Sequence, residues 1–596
     1  MPTNPNKLSQ FWQELKRRCV VHVITVYASA SFVIIELVNN LTEPLGLGPK
    51  LATIVVVVLA IGFPLAIILA WIYDMTPDGI EKTKASEKTK GNELAKVPNG
   101  WRIATYVSFV VIIGLLALNI VGGPKQLRAG DIQSIVILPF DNFTGDDQLD
   151  YFVEGMHASL INDMGKISGL RVICKTSAST YRDLDMTASE IAKELNVDAV
   201  VEGSIMCLGD SICSQFRLVN TAGEEKQIWN ADYREEKSQI LNFYNRVTRR
   251  IADEVKIELT SVEEQLFAET RTIDPQAYDA YLKGKYYWEK LDPESMKMAE
   301  EYFKTAIEIE PEWAEPYARL ASVYGSFYIL PKSVTLPLKY QYLNKALELD
   351  PNSALAHHVN ARTAVWAEFD WDKGEKEFLK SIELNPNNAL CHLYYSHLLM
   401  ILRRSQESVQ QAKLGLELDP LKPLVLSLYG VVMVNEGNYQ SAIQHFEKAL
   451  SIDPNFRFAA GNLSKAQLDL HYFNGDYEKW IEVWERKVRG YGHWNEEGIA
   501  AVMNTFHEEG HIAAIEEMFK MNEEYGNDCY MSEGIKAIRY LKLGNLDKVM
   551  DHREKIYEMR SLNAAYMATN MQYYHQLKDN ARYIALLKTL NLPHDD

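Results

Sequence analysis

The chain has 596 residues, 47% of them hydrophobic and 24% charged, with a net charge of −18 at neutral pH. It is long enough for several folding units and apolar enough for sizeable cores, which excludes global disorder. Charge is uneven: residues 1–130 carry 13 Lys/Arg and 8 Asp/Glu, the remainder 49 and 72, so the body has a net −23 and argues against a nucleic-acid face.

Three apolar runs lie near the start, at 20–38, 51–73 and 103–121. Each is close to the ~20 residues that cross a bilayer. Pro64 marks a kink in the second, and Trp71, Tyr73, Trp101 and Tyr106 sit near span ends, where aromatic rings favour the interface. The first run contains His22 and Glu36, and Glu36 lies far enough toward its end to read as an interfacial side chain. Ala28-Ser29-Ala30 fits a signal-peptide cleavage pattern. The apolar run continues through Phe32 to Ile35, so a retained span is the expectation.

Lys16, Arg17 and Arg18 precede the first span, and six Lys/Arg fall between 74 and 102, against Lys50 alone in 41–50. The basic segments are expected on the cytoplasmic side. Residues 1–122 therefore read as a multi-pass module of the inner membrane of a bacterium, with the large C-terminal region periplasmic. Phe11-Trp12, Glu14-Leu15-Lys16-Arg17-Arg18, Gly62-Phe63-Pro64 and the tract from Ala70 through Asp74 to Ile80 resemble the N-terminal membrane module of bacterial proteins with periplasmic-type sensor regions.

Residues 131–260 change character. Ser134 to Phe140 is a buried-strand pattern, and Phe152, Met156, Leu160, Ile161 and Met164 follow helical spacing. Thr187-x-x-Glu190 is a capping box. Val197–Leu208 and Ser211–Val219 flank Gly209-Asp210, which suits a two-residue hairpin turn. That register pairs Val201 with Leu218, Gly203 with Phe216, Ile205 with Ser214 and Cys207 with Ile212 on one face, and Glu202 with Arg217 and Ser204 with Gln215 on the other. Cys207 and Cys213 then point to opposite faces, and no disulfide is expected between them.

A further strand, 226–233, follows a turn at Ala222-Gly223, and a helix over 240–255 closes the unit. The stretches Ile137-Leu138-Pro139-Phe140, Glu202-Gly203-Ser204 and Trp229-Asn230-Ala231-Asp232-Tyr233 resemble the TolB amino-terminal-like domain, related to the FlgO-type fold. The resemblance implies sensing or interaction rather than catalysis. In that family the domain often lies between a membrane span and helical repeats, with a cyclase or winged-helix domain on the cytoplasmic side.

Pro311, Pro351, Pro386, Pro420 and Pro454 each follow an acidic residue or Asn, at spacings of 40, 35, 34 and 34. A 34-residue period marks helix–turn–helix solenoids. Ala299, Phe303, Ala306 and Pro311 lie 143 residues before Ala442, Phe446, Ala449 and Pro454. Small residues let paired helices approach, the aromatic fills the gap, and Pro ends the second helix. The pattern resembles the tetratricopeptide repeat over 274–594, best over 278–454 and degenerate after 457. Residues 325–338 read as an insertion, 563–591 as a capping helix pair, and 592–596 as a frayed tail.

No Walker-type loop, GxSxG or HExxH occurs, no CxxC is present, and no Cys/His pair has zinc spacing. His357-His358, His392 and His397 read as satisfied or solvent-facing rather than metal ligands. Asp141, Asp146, Asp147 and Asp150 read as a solvated, helix-capping loop. Trp366, Trp371, Trp480 and Trp484 read as solenoid core. No catalytic, cofactor-binding or metal residue is assigned.

The fold class is thus multidomain: N-terminal transmembrane helices, a small α/β domain, then an all-α tetratricopeptide-repeat solenoid. The expected function is a membrane-anchored periplasmic scaffold, not an enzyme, engaging a protein or peptide of basic character through the α/β domain and repeat groove. The alternatives are a signal-transducing sensor coupled to a separate cytoplasmic effector, or a subunit associated with a class III adenylate cyclase. No cyclase domain is expected within these residues.

Overall fold

The computed structural model describes residues 20–42, short stretches at 55, 58–59, 62–63, 66, 73–76 and 79–82, and 132–594 apart from 183, 222–224, 269–270, 291, 326–331, 493, 526–530 and 570. It separates into two compact units, Met1–Arg128 and Ala129–Asp596.

In the first unit the helix Val20–Thr42 contains an apolar stretch, Val20–Val38, of 19 residues and mean hydropathy 1.9. It is long and apolar enough to cross a bilayer, the one such helix among the described residues. Glu36 is exposed on it. Ile34 and Val38 pack against Val55 and Leu59. The expected third span and most of the second lie outside the described residues. What stands is one N-terminal apolar helix, and the multi-pass arrangement gains no support. Of the Asp74–Ile80 tract, residues 74–76 and 79–80 fall in the antiparallel strands β1 (Tyr73–Thr76) and β2 (Gly79–Lys82).

The second unit opens with a mixed sheet of six strands: β3 (Ser134–Ile137), β4 (Asp141–Asn142), β5 (Arg171–Val172), β6 (Ala199–Leu208), β7 (Ser211–Asn220) and β8 (Lys226–Glu236). The order is β5-β3-β6-β7-β8, with β4 beside β6. β3 runs parallel to β5 and β6, and the β6-β7-β8 meander is antiparallel. Helices cover both faces, which is why the run Ile135-Val136-Ile137 of β3 is apolar without alternation. Ile135, Ile137 and Val201 meet Phe152, Met156 and Leu160 of the helix Asp150–Met164, and Phe243 and Val247 of the helix Ile240–Glu254. Val136, Val200 and Val219 meet Ile191 and Leu195 of the helix Ala188–Leu195, which opens with the expected Thr187–Glu190 capping box.

The β6–β7 register follows the alternation from Val201–Leu218 to Ile205–Ser214, and then shifts. A bulge at Met206, which is 43% exposed, makes Cys207 the partner of Cys213 and Leu208 the partner of Ile212. The expected pairing of Cys207 with Ile212 and the two-residue turn are therefore wrong, and so is the expectation of no bridge. Cys207 and Cys213 form a disulfide, with Cα atoms 4.9 Å apart. One extra residue in a strand moves every later side chain to the other face.

From Pro275 the chain is helical. The helices Pro275–Glu289 and Pro293–Ile309 pair, as do Ala389–Ile401 with Ser405–Leu418, and Pro423–Asn435 with Tyr439–Ile452. Pro311, Pro351, Pro386, Pro420 and Pro454 each fall two residues beyond a helix end. Ala299, Phe303, Ala306, Ala442, Phe446 and Ala449 are fully buried. A Cβ at Gly284 would lie 2.6 Å from the Phe303 ring, and one at Gly430 would lie 2.6 Å from Phe446. The small residue of the first helix is thus matched to the aromatic of the second.

The degenerate repeats keep the turn inside each pair. Gly437, Gly475 and Gly544 all have φ of 71–73°, the left-handed region that Gly enters without Cβ strain. Asn438, Asp476 or Asn545 follows each and caps the next helix. Within the expected insertion, Pro337 sits inside the helix Lys332–Leu349.

The helix Ala389–Ile401 is held at both ends. At its start, the turn after Leu384 covers the edge strand β5. Asn387 Oδ1 accepts from the Val172 amide at 2.9 Å, and its Nδ2 donates to the carbonyls of Leu170 (2.9 Å), Gly165 (3.1 Å) and Ile167 (3.3 Å). One repeat later, the Leu418 carbonyl accepts from the Cys174 amide at 2.9 Å, and Asp419 Oδ1 accepts from the Ser177 amide and hydroxyl. Bare edge strands template aggregation, and here the solenoid satisfies the edge.

Near its other end lies the segment 562–592. His397 and Trp366 meet the Tyr566 hydroxyl, Arg403 Nε donates to the Ala568 carbonyl at 3.1 Å, and Trp371 Nε1 donates to the Leu590 carbonyl at 2.7 Å. The expected cap therefore packs onto helices far back in the sequence. Leu592, expected in a frayed tail, is 2% exposed within that shared core.

Candidate functional site

The residues singled out from sequence do not converge on one site. Among the described residues no group of three His, Cys, Asp or Glu could hold a metal ion.

In the acidic loop, Asp146 Oδ1 accepts from the Gln148 amide and caps a short helical turn, while Asn142 Nδ2 donates to Asp150 at 2.7 Å. Burial, with the nearby Glu202 charge, raises the Asp141 carboxyl above its ordinary range. Those side chains serve loop structure.

The histidines serve packing and turns. His357 bridges Glu377 (2.6 Å) and the Pro351 carbonyl (2.9 Å), and His392 bridges Gln411 (2.6 Å) and the Pro386 carbonyl (2.8 Å). Tyr317 donates to the Pro311 carbonyl in the same way. In each case the side chain six residues after the proline ties down the turn between repeats. Burial lowers the His357 pKa, but its bonds to Glu377 and Pro351 outweigh this and leave it raised. His358 is buried against Phe378 and Tyr394, and burial with the Arg362 and Lys339 charges lowers it to about 3. His397 is lowered by burial to about 4.

Two cavities are candidates for ligands. The first, about 390 Å³, opens where the α/β region meets the first helical pair, beside Lys237, Asp279, Lys283 and Tyr302. Lys283 pairs with Asp279 at 2.9 Å, Asp279 also accepts from Tyr151, and Lys237 lies over the Phe152 ring.

The second cavity, about 250 Å³, lies among the helices Arg457–Phe473, Tyr477–Tyr491 and Glu533–Lys542. Trp480, Trp484 and Trp494 form its apolar wall. Lys465, Lys487, Arg539 and Lys542 line it too, with Asp469 as the carboxylate among them. Asp469 accepts from Tyr573, and burial raises its pKa. Burial lowers Arg539 to about 9, and burial with Arg539 repulsion takes Lys542, despite Asp469, to about 8. Lys487 is lowered by burial and by Arg539 and Lys465.

Trp480 and Trp484 are thus solenoid core, as expected, and cavity wall as well. The cationic cluster escaped the sequence reading. Trp480, Trp484 and Lys487 share one helical face at i, i+4 and i+7, a visible signal. Arg539 and Lys542 arrive from a helix beyond another pair, which periodicity does not reveal.

The paired helices and their repeated Gly–Ala–Phe–Ala–Pro signature define a tetratricopeptide-repeat array. Residues 423–456 match the family described as "Tetratricopeptide repeat". Over 250 residues the chain is 28% identical to a Rhizobium meliloti (strain 1021) protein named "Putative adenylate cyclase 3", which amounts to 41% of this chain and 42% of that protein. The chain thus spans less than half the length of this curated relative. Among solved structures, a thermophilic TPR protein of Thermus thermophilus aligns with 32% of this chain and 99% of its own, at 16% identity and TM-score 0.28. Pseudomonas aeruginosa pilF aligns with 43% of this chain and 95% of its own, at 17% identity and TM-score 0.26.

Proposed function

We propose that the chain is a membrane-anchored extracytoplasmic scaffold that binds a protein or peptide partner through its tetratricopeptide array, with no catalytic turnover of its own. The observation that carries this is the array itself. Roughly half the chain is stacked helical pairs, an architecture whose usual work is to present an extended binding surface. With the turns at Asn387 and Asp419 covered by the α/β region and helix ends within 364–403 covered by 562–592, the partner surface is sought on the remaining face. The acidic body favours a partner of basic character.

Two features support the extracytoplasmic side. Lys16, Arg17 and Arg18 precede the apolar helix, so positive-inside logic sends the body across. The Cys207–Cys213 bridge suits an oxidising compartment. The α/β region, of TolB amino-terminal-like type on this reading, sets the first repeats in place and couples them to the anchor.

The test is a photo-crosslinking residue at Leu379 and Leu414, both of which are 44–48% exposed, introduced in living cells. A discrete adduct at these positions and none at exposed Phe143 supports the reading. Adducts at Phe143 alone would move the partner to the α/β region. The second reading, a component acting with an adenylate cyclase, is favoured by the 28% match. Production of cyclic AMP by the purified chain would replace the scaffold with an enzyme, and co-purification of cyclase activity would support the association.

A further inference from the structure

The cavity of about 250 Å³ between the helices Arg457–Phe473, Tyr477–Tyr491 and Glu533–Lys542 has a composition at odds with the molecule around it. The body carries a net −23, yet this cavity gathers four cations and one carboxylate. Among the described residues, none of Lys465, Lys487, Arg539 or Lys542 lies within ion-pair distance of a carboxylate, although ion pairs are frequent elsewhere in the array. Lys542 lies 3.7 Å above the Tyr472 ring, and Arg539 contacts the Met531 sulfur. Neither contact neutralises a charge.

Two buried polar atoms beside them lack a hydrogen-bond partner. Trp484 is 2% exposed, and its Nε1 has no hydrogen-bond partner. Asp469 is 4% exposed, and its Oδ2 has none either. Buried donors and partly buried cations without partners carry a desolvation cost that folding alone does not recover. An anion placed among them would recover it. The wall of Trp480, Trp484 and Trp494 adds an apolar, flat surface on one side.

We propose that this cavity binds a small organic anion, with its carboxylate, sulfonate or phosphate head between Lys487, Arg539 and Lys542 and an aromatic body against the tryptophans. The volume lies below the ~300–1,000 Å³ of drug-sized sites, which limits the ligand to one or two rings bearing one anionic group. Asp469 Oδ2 accepts a hydrogen from an O–H or N–H on that body. The site is built from helices of the array other than those that carry Leu379 and Leu414.

Calorimetric titration of the full chain in detergent tests this, with naphthalene-2-carboxylate as the probe and its uncharged amide as the control. A charge-assisted contact is worth ~1.5–3 kcal/mol, so the carboxylate should bind at least about tenfold more tightly than the amide. Arg539→Gln and Lys487→Gln should each remove about tenfold of the carboxylate affinity and leave the amide within about twofold. Lys465→Gln, on a partly exposed residue, is the second variant should either of these unfold, and it should weaken the carboxylate by a smaller factor. Equal affinity for acid and amide, absence of saturable binding by the acid, or variants without effect would each overturn the proposal. Tighter binding of a tripeptide ending in a free phenylalanine carboxylate than of the probe would overturn the small-molecule assignment.

Discussion

Asn387 joins the solenoid to the sheet, and its replacement by Ala gives a calculable loss. Four groups of the α/β region depend on its side chain: the Val172 amide and the carbonyls of Leu170, Gly165 and Ile167. Two of them keep other partners. The Gly165 carbonyl still accepts from the Asn387 amide at 3.3 Å, and the Ile167 carbonyl from the Leu170 amide at 3.3 Å. The Val172 amide and Leu170 carbonyl lose theirs, in a region where Asn387 is 8% exposed and Val172 is 1% exposed.

Each buried group left unpaired costs ~1–3 kcal/mol, so Asn387→Ala should cost about 3–4 kcal/mol. Asn387→Asp keeps the acceptor for Val172 but sets a carboxylate against three carbonyls, and should cost at least as much near neutral pH. The assay is urea unfolding of the unit Ala129–Asp596, followed by midpoint and slope, with an unchanged slope required for a clean reading. A loss below about 1 kcal/mol for Asn387→Ala would refute the view that this residue closes the sheet edge.

Other outcomes follow from the packing, the histidines and the topology. Gly415→Ala should destabilise by ~1–3 kcal/mol in the same assay, because its Cβ would lie 1.7 Å from Leu393 and 2.8 Å from the Ala389 carbonyl, whereas Lys448→Ala should be nearly neutral. His157 and His358 are held near 3 and His397 near 4, chiefly by burial, so each is neutral when folded and takes up a proton on unfolding below ~6.5. Stability is therefore present above pH ~6.5 and falls as the pH drops toward 4, by roughly 2 kcal/mol per histidine at pH 5, and His358→Phe should flatten that slope. An alkaline phosphatase fusion at residue 130 should be active, and non-reducing peptide mapping should recover Cys207 linked to Cys213. Cytoplasmic reporter activity at that fusion would reverse the topology.

Local signals were legible wherever one element dictates its own form. The proline period placed the turns between repeats, and alternation along β6 and β7 set their register from Val201 to Ile205. Gly437, Gly475 and Gly544 stand at equivalent places in the sequence and share one left-handed backbone conformation. The Met206 bulge was hidden because an apolar residue in a strand pattern gives no sign of which face it will take. Asn387 carried no signal of its own, since its partners lie more than 200 positions earlier. The cationic cavity was hidden for the same reason: Arg539 and Lys487 meet only after two intervening helices have packed.

The docking of 562–592 onto 364–403 has a consequence for synthesis. In a simple solenoid each repeat is finished when its neighbour emerges, so folding can follow the ribosome closely. Here Trp371 waits for Leu590, 219 residues later, and Arg403 waits for Ala568, 165 residues later. At ~5–20 residues per second, that leaves apolar helix ends uncovered for roughly 10–40 s on each nascent chain. The early repeats thus pass through a long period in which a holdase has something to hold. Loss of the last thirty or so residues would leave them in that state permanently, well upstream of the truncation itself.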